Sequence, residues 1–194
     1  MDIRPIKSKL REHYKNIRME MPADERAEMD GLIAQRVIGL RQYKNCETLL
    51  TYVSKDIEVD TRLLIDLALK SGKKVAVPKC IDGTRNMEFY YINNLDDLSP
   101  GTFGVLEPDD SKCIKVENFA KSLCIVPALC YDLKGYRLGY GKGYYDRFLD
   151  TYDGYVVGIV YSNCVRRSLP HGRFDRPVDL LVTEKYIRHI ARKN

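Results

Sequence analysis

Leu123-Cys124-Ile125-Val126, Gly143-Tyr144-Tyr145-Asp146-Arg147-Phe148-Leu149-Asp150-Thr151 and Tyr155-Val156-Val157-Gly158-Ile159-Val160-Tyr161 follow one another along the chain. The first and third are short apolar runs rich in β-branched residues, and the second reads as a helix. Strand, helix and strand in that order make a crossover, which joins parallel neighbours in a sheet. The pattern recurs upstream. Thr48 to Val53 is a β-rich run, and Asp60 or Thr61 is placed to cap a helix carrying Leu63, Leu64, Leu67 and Ala68, with Gly72 to end it. Val75-Ala76-Val77 before Pro78, Met87 to Ile92 and, near the end, Leu180 to Thr183 read as further strands. The first forty residues read as two helices. Ile6, Leu10, Tyr14 and Ile17 recur at helical spacing. Pro22, followed by Asp24 and Glu25, opens a second stripe of Met29, Leu32, Ile33, Val37 and Leu40. Both stripes read as core faces. No internal repeat or long linker divides the chain. The expectation is one α/β domain over residues 1–194, with a mainly parallel sheet covered on both faces.

Composition narrows the function classes. The 194 residues are 44% hydrophobic and 30% charged, an ordinary mix for a chain that buries a sizeable core. Thirty-two Lys and Arg against 27 Asp and Glu leave a net charge of +5, too little for a polybasic binder but suited to an anion pocket. No apolar run is long enough to cross a bilayer, and Met1-Asp2-Ile3-Arg4-Pro5 lacks the apolar stretch of a signal peptide. The expected location is cytoplasmic. The six cysteines form no C-x-x-C pair, and Cys124 in its apolar run reads as a reduced core thiol. The scattered histidines and the absence of Gly-x-Ser-x-Gly leave little for metallohydrolase or serine-hydrolase readings.

The chemistry concentrates between the Leu123–Val126 strand and the following helix, where open α/β sheets bind ligands. There the chain reads Arg137-Leu138-Gly139-Tyr140-Gly141-Lys142-Gly143-Tyr144-Tyr145-Asp146-Arg147. Three alternate glycines let backbone N–H groups approach an anion, the next helix adds its positive end, and Arg137 and Lys142 add formal charge. A phosphate cradle is the physical reading. It is neither familiar nucleotide motif: Gly143 stands where a P-loop has Ser or Thr, and Tyr144 where a dinucleotide fingerprint has its third glycine. By spacing alone, Glu58 and Asp60 belong to a solvated turn and a helix cap. Asp146 and Asp175 are candidate oxygen ligands for magnesium.

These residues resemble the 5-formyltetrahydrofolate cyclo-ligase family, also called methenyltetrahydrofolate synthetase. The 137–147 run is the most specific signature. Lys7-x-x-Leu10-Arg11, Ser54 to Thr61 with Glu58-Val59-Asp60-Thr61, Gly104-Val105-Leu106-Glu107-Pro108 and Asp175 to Asp179 match in family order across nearly the whole chain. Two departures stand out. Cys130-Tyr131 occupies a place where the family more often has a small or apolar residue before Phe, and Lys142 is glycine in some relatives. The resemblance implies a three-layer α/β/α fold related to the sugar-phosphate isomerase and CoA-transferase group. It implies ATP- and Mg2+-dependent closure of 5-formyltetrahydrofolate to 5,10-methenyltetrahydrofolate, with release of ADP and phosphate. By position, Lys7, Arg11, Arg137, Leu138, Gly139, Tyr140, Gly141, Lys142, Gly143, Tyr144 and Tyr145 match ATP contacts. Val53, Glu58 and the Tyr140–Tyr144 loop match contacts to the reduced folate, and Asp146 and Asp175 match the metal carboxylates. Lys142 and Arg137 are the residue types that stabilise charge in phosphoryl transfer. A monomer without nucleic-acid or membrane partners is expected. The rival readings are a sugar-phosphate isomerase or deacylase of the same fold group, which works without ATP, and a nucleic-acid-binding module, whose binding is salt-sensitive.

Overall fold

Pro5 stands in the first turn of a helix, where a missing N–H goes unnoticed. In the computed structural model, which describes residues 2–101 and 104–191, that helix, α1, spans Arg4–Met19. Its apolar stripe meets the core as expected through Tyr14, Leu10 and Ile17, but only in part. Tyr14 is buried, but Leu10 and Ile17 are half-buried and Ile6 is 43% exposed. The other buried side chain of α1 is a charged one, Arg18. The second helix, α2 (Ala23–Gly39), starts just after Pro22 with Asp24 and Glu25 in its first turn, and buries Ile33, Ala34 and Val37. A five-residue helix, α3 (Arg41–Asn45), follows, too short for its periodicity to show in sequence.

The Thr48–Val53 run forms a ladder only over β1 (Thr48–Leu50), and the chain beyond turns away toward the site. Helix α4 (Arg62–Lys70) is capped by Asp60, which accepts from the Arg62 N–H at 2.8 Å. The Thr61 hydroxyl instead donates to the Tyr52 carbonyl. Gly72, at φ +79°, ends α4 as expected: its N–H reaches Leu69 O and the next N–H reaches Ala68 O, each at 3.0 Å. Strand β2 (Lys74–Cys80) runs through Pro78 and pairs antiparallel with β3 (Met87–Ile92). Two short strands, β4 (Leu98–Pro100) and β5 (Leu106–Pro108), pair with each other.

Downstream lie β6 (Ser122–Val126), β7 (Cys130–Asp132), β8 (Arg137–Leu138), α5 (Tyr144–Thr151), β9 (Tyr155–Ile159), β10 (Val165–Arg166), β11 (Leu180–Val182) and β12 (Ile187–His189). Among the described residues a seven-stranded sheet runs β12-β11-β9-β6-β1-β2-β3. Its five inner strands are parallel to one another, and both edge strands are antiparallel. The difference is one of connection length: β2–β3 and β11–β12 are joined by a few residues, which permits only a hairpin. One face packs under α2, α3 and α4 through Ile33, Val37, Tyr43, Leu64 and Ile65. The other packs under α1 and α5 through Tyr14, Leu149, Leu129 and Tyr131. Helices on both faces make three layers, and no described helix is long and apolar enough to cross a membrane.

Candidate active site

The parallel strands β1, β2 and β6 end at one edge of the sheet. The segments that leave β1 and β6, residues 51–58 and Pro127 onward, meet the last residues of β2, Pro78 to Cys80, beneath α1, and together they enclose a cavity of about 580 Å³. Every site residue expected from the sequence lines it: Lys7 and Arg11 from α1, Val53 and Glu58 from the loop after β1, the run Arg137 to Asp146, and Asp175. Ile3, Arg4, Tyr52, Lys55, Pro78, Cys80, Met87, Val105, Leu106, Glu107 and Pro127 complete the wall, none of them with a role expected from the sequence. Lys55 and residues 105–107 lie in segments that match the family without a role of their own; the apolar residues among the others lie in strands or loops with no charge pattern to mark them.

The glycine-rich run does not pass directly from strand to helix. A hairpin intervenes, pairing Tyr131 with Arg137 and Cys130 with Leu138. Asp132, fully buried, holds it by accepting from the N–H groups of Lys134 (2.9 Å), Tyr136 (3.0 Å) and Leu169 (2.9 Å). The hairpin delivers Arg137 as a buried residue. Its Nη1 donates to Arg176 O at 2.7 Å and its Nη2 to Asp146 Oδ1 at 2.5 Å. The three glycines serve different ends. Gly141 and Gly143 sit at φ +95° and +79°, a region that favours glycine, and Gly143 is the N-cap of α5. Gly139 instead supplies a carbonyl that accepts from Arg11 Nε at 2.8 Å.

Lys7 and Arg11, one helical turn apart, both point to this loop end. Lys7 Nζ lies 2.7 Å from Asp175 Oδ2, which also accepts from Gly172 N at 2.6 Å. Burial on its own raises the Asp175 carboxyl, but the Lys7 hydrogen bond, the Gly172 N–H and the charges of Lys7 and Arg137 outweigh it and hold Asp175 below its ordinary value. Burial lowers Arg11, with Asp175 opposing. One end of the cavity is therefore cationic, built of Lys7, Arg11, Arg137 and Lys142 around left-handed backbone.

The other end is apolar with a buried acid. Glu58, read from its spacing as a solvated turn residue, is only 7% exposed, and its Oε2 accepts from Lys55 N at 2.9 Å. Burial pushes its carboxyl above the ordinary range; the Lys55 N–H, Arg18, the Tyr140 hydroxyl and the Lys55 charge pull the other way. Burial and then Glu58 raise the Tyr140 phenol, whose ring lies 5.6 Å from Lys15 Nζ and 5.7 Å from Lys55 Nζ. The buried Tyr145 hydroxyl has no hydrogen-bond partner among the described residues. Tyr52, Val53, Pro78, Met87 and Leu106 supply flat and aliphatic surface. A phosphate chain suits the first end and a flat polar heterocycle the second.

Asp146 and Asp175 each hold one oxygen on a cationic side chain, and no group of three or more His, Cys, Asp or Glu occurs among the described residues. That donor set fits magnesium, which takes one or two carboxylates and draws its remaining ligands from phosphates and water.

Residues 4–184 match the model of the 5-formyltetrahydrofolate cyclo-ligase family. A "probable 5-formyltetrahydrofolate cyclo-ligase" of Schizosaccharomyces pombe is 36% identical over 175 residues, 81% of this chain and 85% of the relative. The mitochondrial 5-formyltetrahydrofolate cyclo-ligase of Arabidopsis thaliana is 31% identical over 206 residues, 93% of this chain and 73% of the relative. Among solved structures, the 5,10-methenyltetrahydrofolate synthetase of Aquifex aeolicus superposes with a TM-score of 0.84 at 33% identity, covering 97% of this chain and 95% of the other.

Proposed function

The chain belongs to the 5-formyltetrahydrofolate cyclo-ligase family, and from that premise we propose that it uses ATP to convert 5-formyltetrahydrofolate into 5,10-methenyltetrahydrofolate, ADP and phosphate. The observation that carries the reading is the two-ended cavity. Its cationic glycine loop and its apolar, Glu58-bearing wall face one space.

The formyl group on N5 is an amide, and its oxygen is a poor leaving group. Transfer of the γ-phosphoryl of ATP to that oxygen gives an iminium phosphate; N10 then attacks the formyl carbon, the C–O bond breaks, phosphate leaves and N10 gives up its proton. In phosphoryl transfer a protein mainly positions the reactants and stabilises charge. Lys7, Arg11, Arg137 and the loop amides bind the phosphate chain. Lys142, set between two glycines at the cavity wall, stabilises charge on the transferring group together with Arg137. Val53, Glu58 and the Tyr140–Tyr144 loop hold the folate. Asp146 and Asp175 would hold magnesium, which neutralises phosphate charge when bound. The same proposal takes residues 1–194 as one domain, acting as a monomer in the cytoplasm; the six free thiols fit a reducing compartment.

The test is a turnover assay following the near-ultraviolet absorbance of the methenyl product. Product is expected only with 5-formyltetrahydrofolate, ATP and a divalent cation together. Equal turnover without nucleotide would sink the reading in favour of an isomerase- or deacylase-like activity.

A further inference from the structure

Arg18 lies near the end of α1, is 0% exposed, and has no place among the residues that bind either substrate. Its partners are backbone carbonyls and an aromatic face. Nη1 donates to Ile57 O at 2.9 Å, and Nη2 donates to Ala128 O at 2.5 Å and to Leu129 O at 3.0 Å. The guanidinium carbon lies 5.4 Å from the centre of the Tyr161 ring, and Nε has no partner among the described residues. Among the described residues no carboxylate hydrogen-bonds to it. A guanidinium keeps its charge in a protein interior, and burying one without a counter-ion is costly. Helix packing alone would be served better by an apolar side chain of the same length.

The three carbonyls show where the charge acts. Ile57 immediately precedes Glu58, while Ala128 and Leu129 follow Pro127 and lead through β7 and β8 to the glycine loop. Tyr161, under the guanidinium, donates its hydroxyl to Asp30 at 2.7 Å, with the Glu58 carbonyl farther off at 3.4 Å. One side chain of α1 thus ties together the two segments that wall the apolar end.

We propose that Arg18 is the positioning residue of that end: it clamps the Glu58 loop to the segment after Pro127 and supplies the buried positive charge beside which Glu58 meets the folate as a carboxylate. The inference rests on reading Glu58 as a folate contact. The groups facing Glu58 are Lys55 on its own loop, Arg18 from α1, Tyr140 from the glycine loop, Tyr52 after β1 and Tyr145 from α5. Of the two cations among them, Arg18 is the one locked in place by the core. Removing it leaves burial less opposed, so Glu58 takes up its proton at higher pH.

The deciding measurement is the Glu58 side-chain carbon chemical shift, followed by NMR against pH in the wild type, Arg18→Met and Arg18→Lys, without substrate. Arg18→Met should move the Glu58 titration to higher pH, and Arg18→Lys should leave it near the wild-type position. In turnover, Arg18→Met should raise KM for 5-formyltetrahydrofolate about tenfold and shift the acidic limb of kcat/KM for that substrate upward in pH. KM for ATP should change by less than about twofold, and Arg18→Lys should recover part of the folate loss. A Glu58 titration in Arg18→Met that coincides with the wild type overturns the proposal. Should Arg18→Met not fold, Arg18→Gln takes its place; if neither neutral variant folds, Arg18 is a folding determinant and the proposal is again overturned. Because the NMR arm needs no turnover, its failure is distinguishable from failure of the cyclo-ligase reading.

Discussion

At Gly141 the backbone stands at φ +95°, and a Cβ there would lie 3.0 Å from Arg11 Nη2. Glycine is required twice over: for its left-handed conformation, and because the Arg11 guanidinium rests against the loop. Gly141→Ala should cost roughly 1 kcal/mol in backbone strain and push Arg11 off Gly139 O. The expected outcome is a folded protein whose KM for ATP rises about tenfold, read by steady-state kinetics; an unchanged KM would remove Arg11 from nucleotide binding. The neighbouring Lys142 tests charge stabilisation. Losing one such contact is worth about 3 kcal/mol, near a hundredfold in rate, so Lys142→Ala should fold, bind both substrates and lose most of its kcat. A near-normal kcat with a raised KM for ATP would make Lys142 a binding contact and leave Arg137 as the better stabiliser. Both residues stood out in the sequence, because a glycine-rich run with interleaved cations lies where a strand hands over to a helix. Arg18 was not. A lone arginine on a helix usually faces water, and only the packing of two distant segments around it reverses that expectation.

Among the elements, the β7–β8 hairpin matters most, since it leads from the exit of β6 to the candidate cradle. Asp132 holds it through three N–H groups and keeps Arg137 aimed at Asp146. Asp132→Ala leaves those three N–H groups, the Leu169 one buried, without their acceptor, a loss of about 3 kcal/mol, which urea unfolding should register; the folded fraction should also bind ATP more weakly. Loss of under about 1 kcal/mol would show that water replaces the carboxylate freely. Strands of two and three residues carry too few positions for an alternation to be read, so this hairpin lay hidden in the sequence. The long elements did not. Leu123–Val126 and Met87–Ile92 were visible as β-rich runs, and the α4 stop at Gly72 followed from its need for positive φ.

Across the molecule, the proposed role of Glu58 in folate binding sets stability against binding. Its folded-state carboxyl is raised above the reference value of 4.5 by burial. Below that value both folded and unfolded chains are protonated and nothing is lost; as pH rises above it, ionising the buried group costs stability. Glu58→Gln should therefore raise the melting temperature by about 2 °C or more near neutral pH, with the gain vanishing near about pH 4, while weakening folate binding. Calorimetry at the two pH values checks this; an equal gain at both would mean that packing, not ionisation, sets the difference. Asp175 works with the opposite sign. Held below its reference value of 3.8, it stabilises above that pH, and the contribution fades as pH falls through its lower folded value.

What the sequence determined by itself was local: which runs are strands, which are helices, that crossovers make the inner sheet parallel, and where a glycine-rich run with cations offers a candidate anion site. Those properties depend on periodicity, turn chemistry and residue type, all of which act within a few residues. What only the tertiary structure decided was encounter. It bent the outer strands into antiparallel hairpins, laid a half-exposed α1 across the strand ends, buried Glu58 and Arg18, and brought residues 7, 58, 107, 142 and 175 around one cavity. Such placements depend on which distant surfaces share a core, and the free energy of that sharing is a sum over the whole chain that no short segment contains.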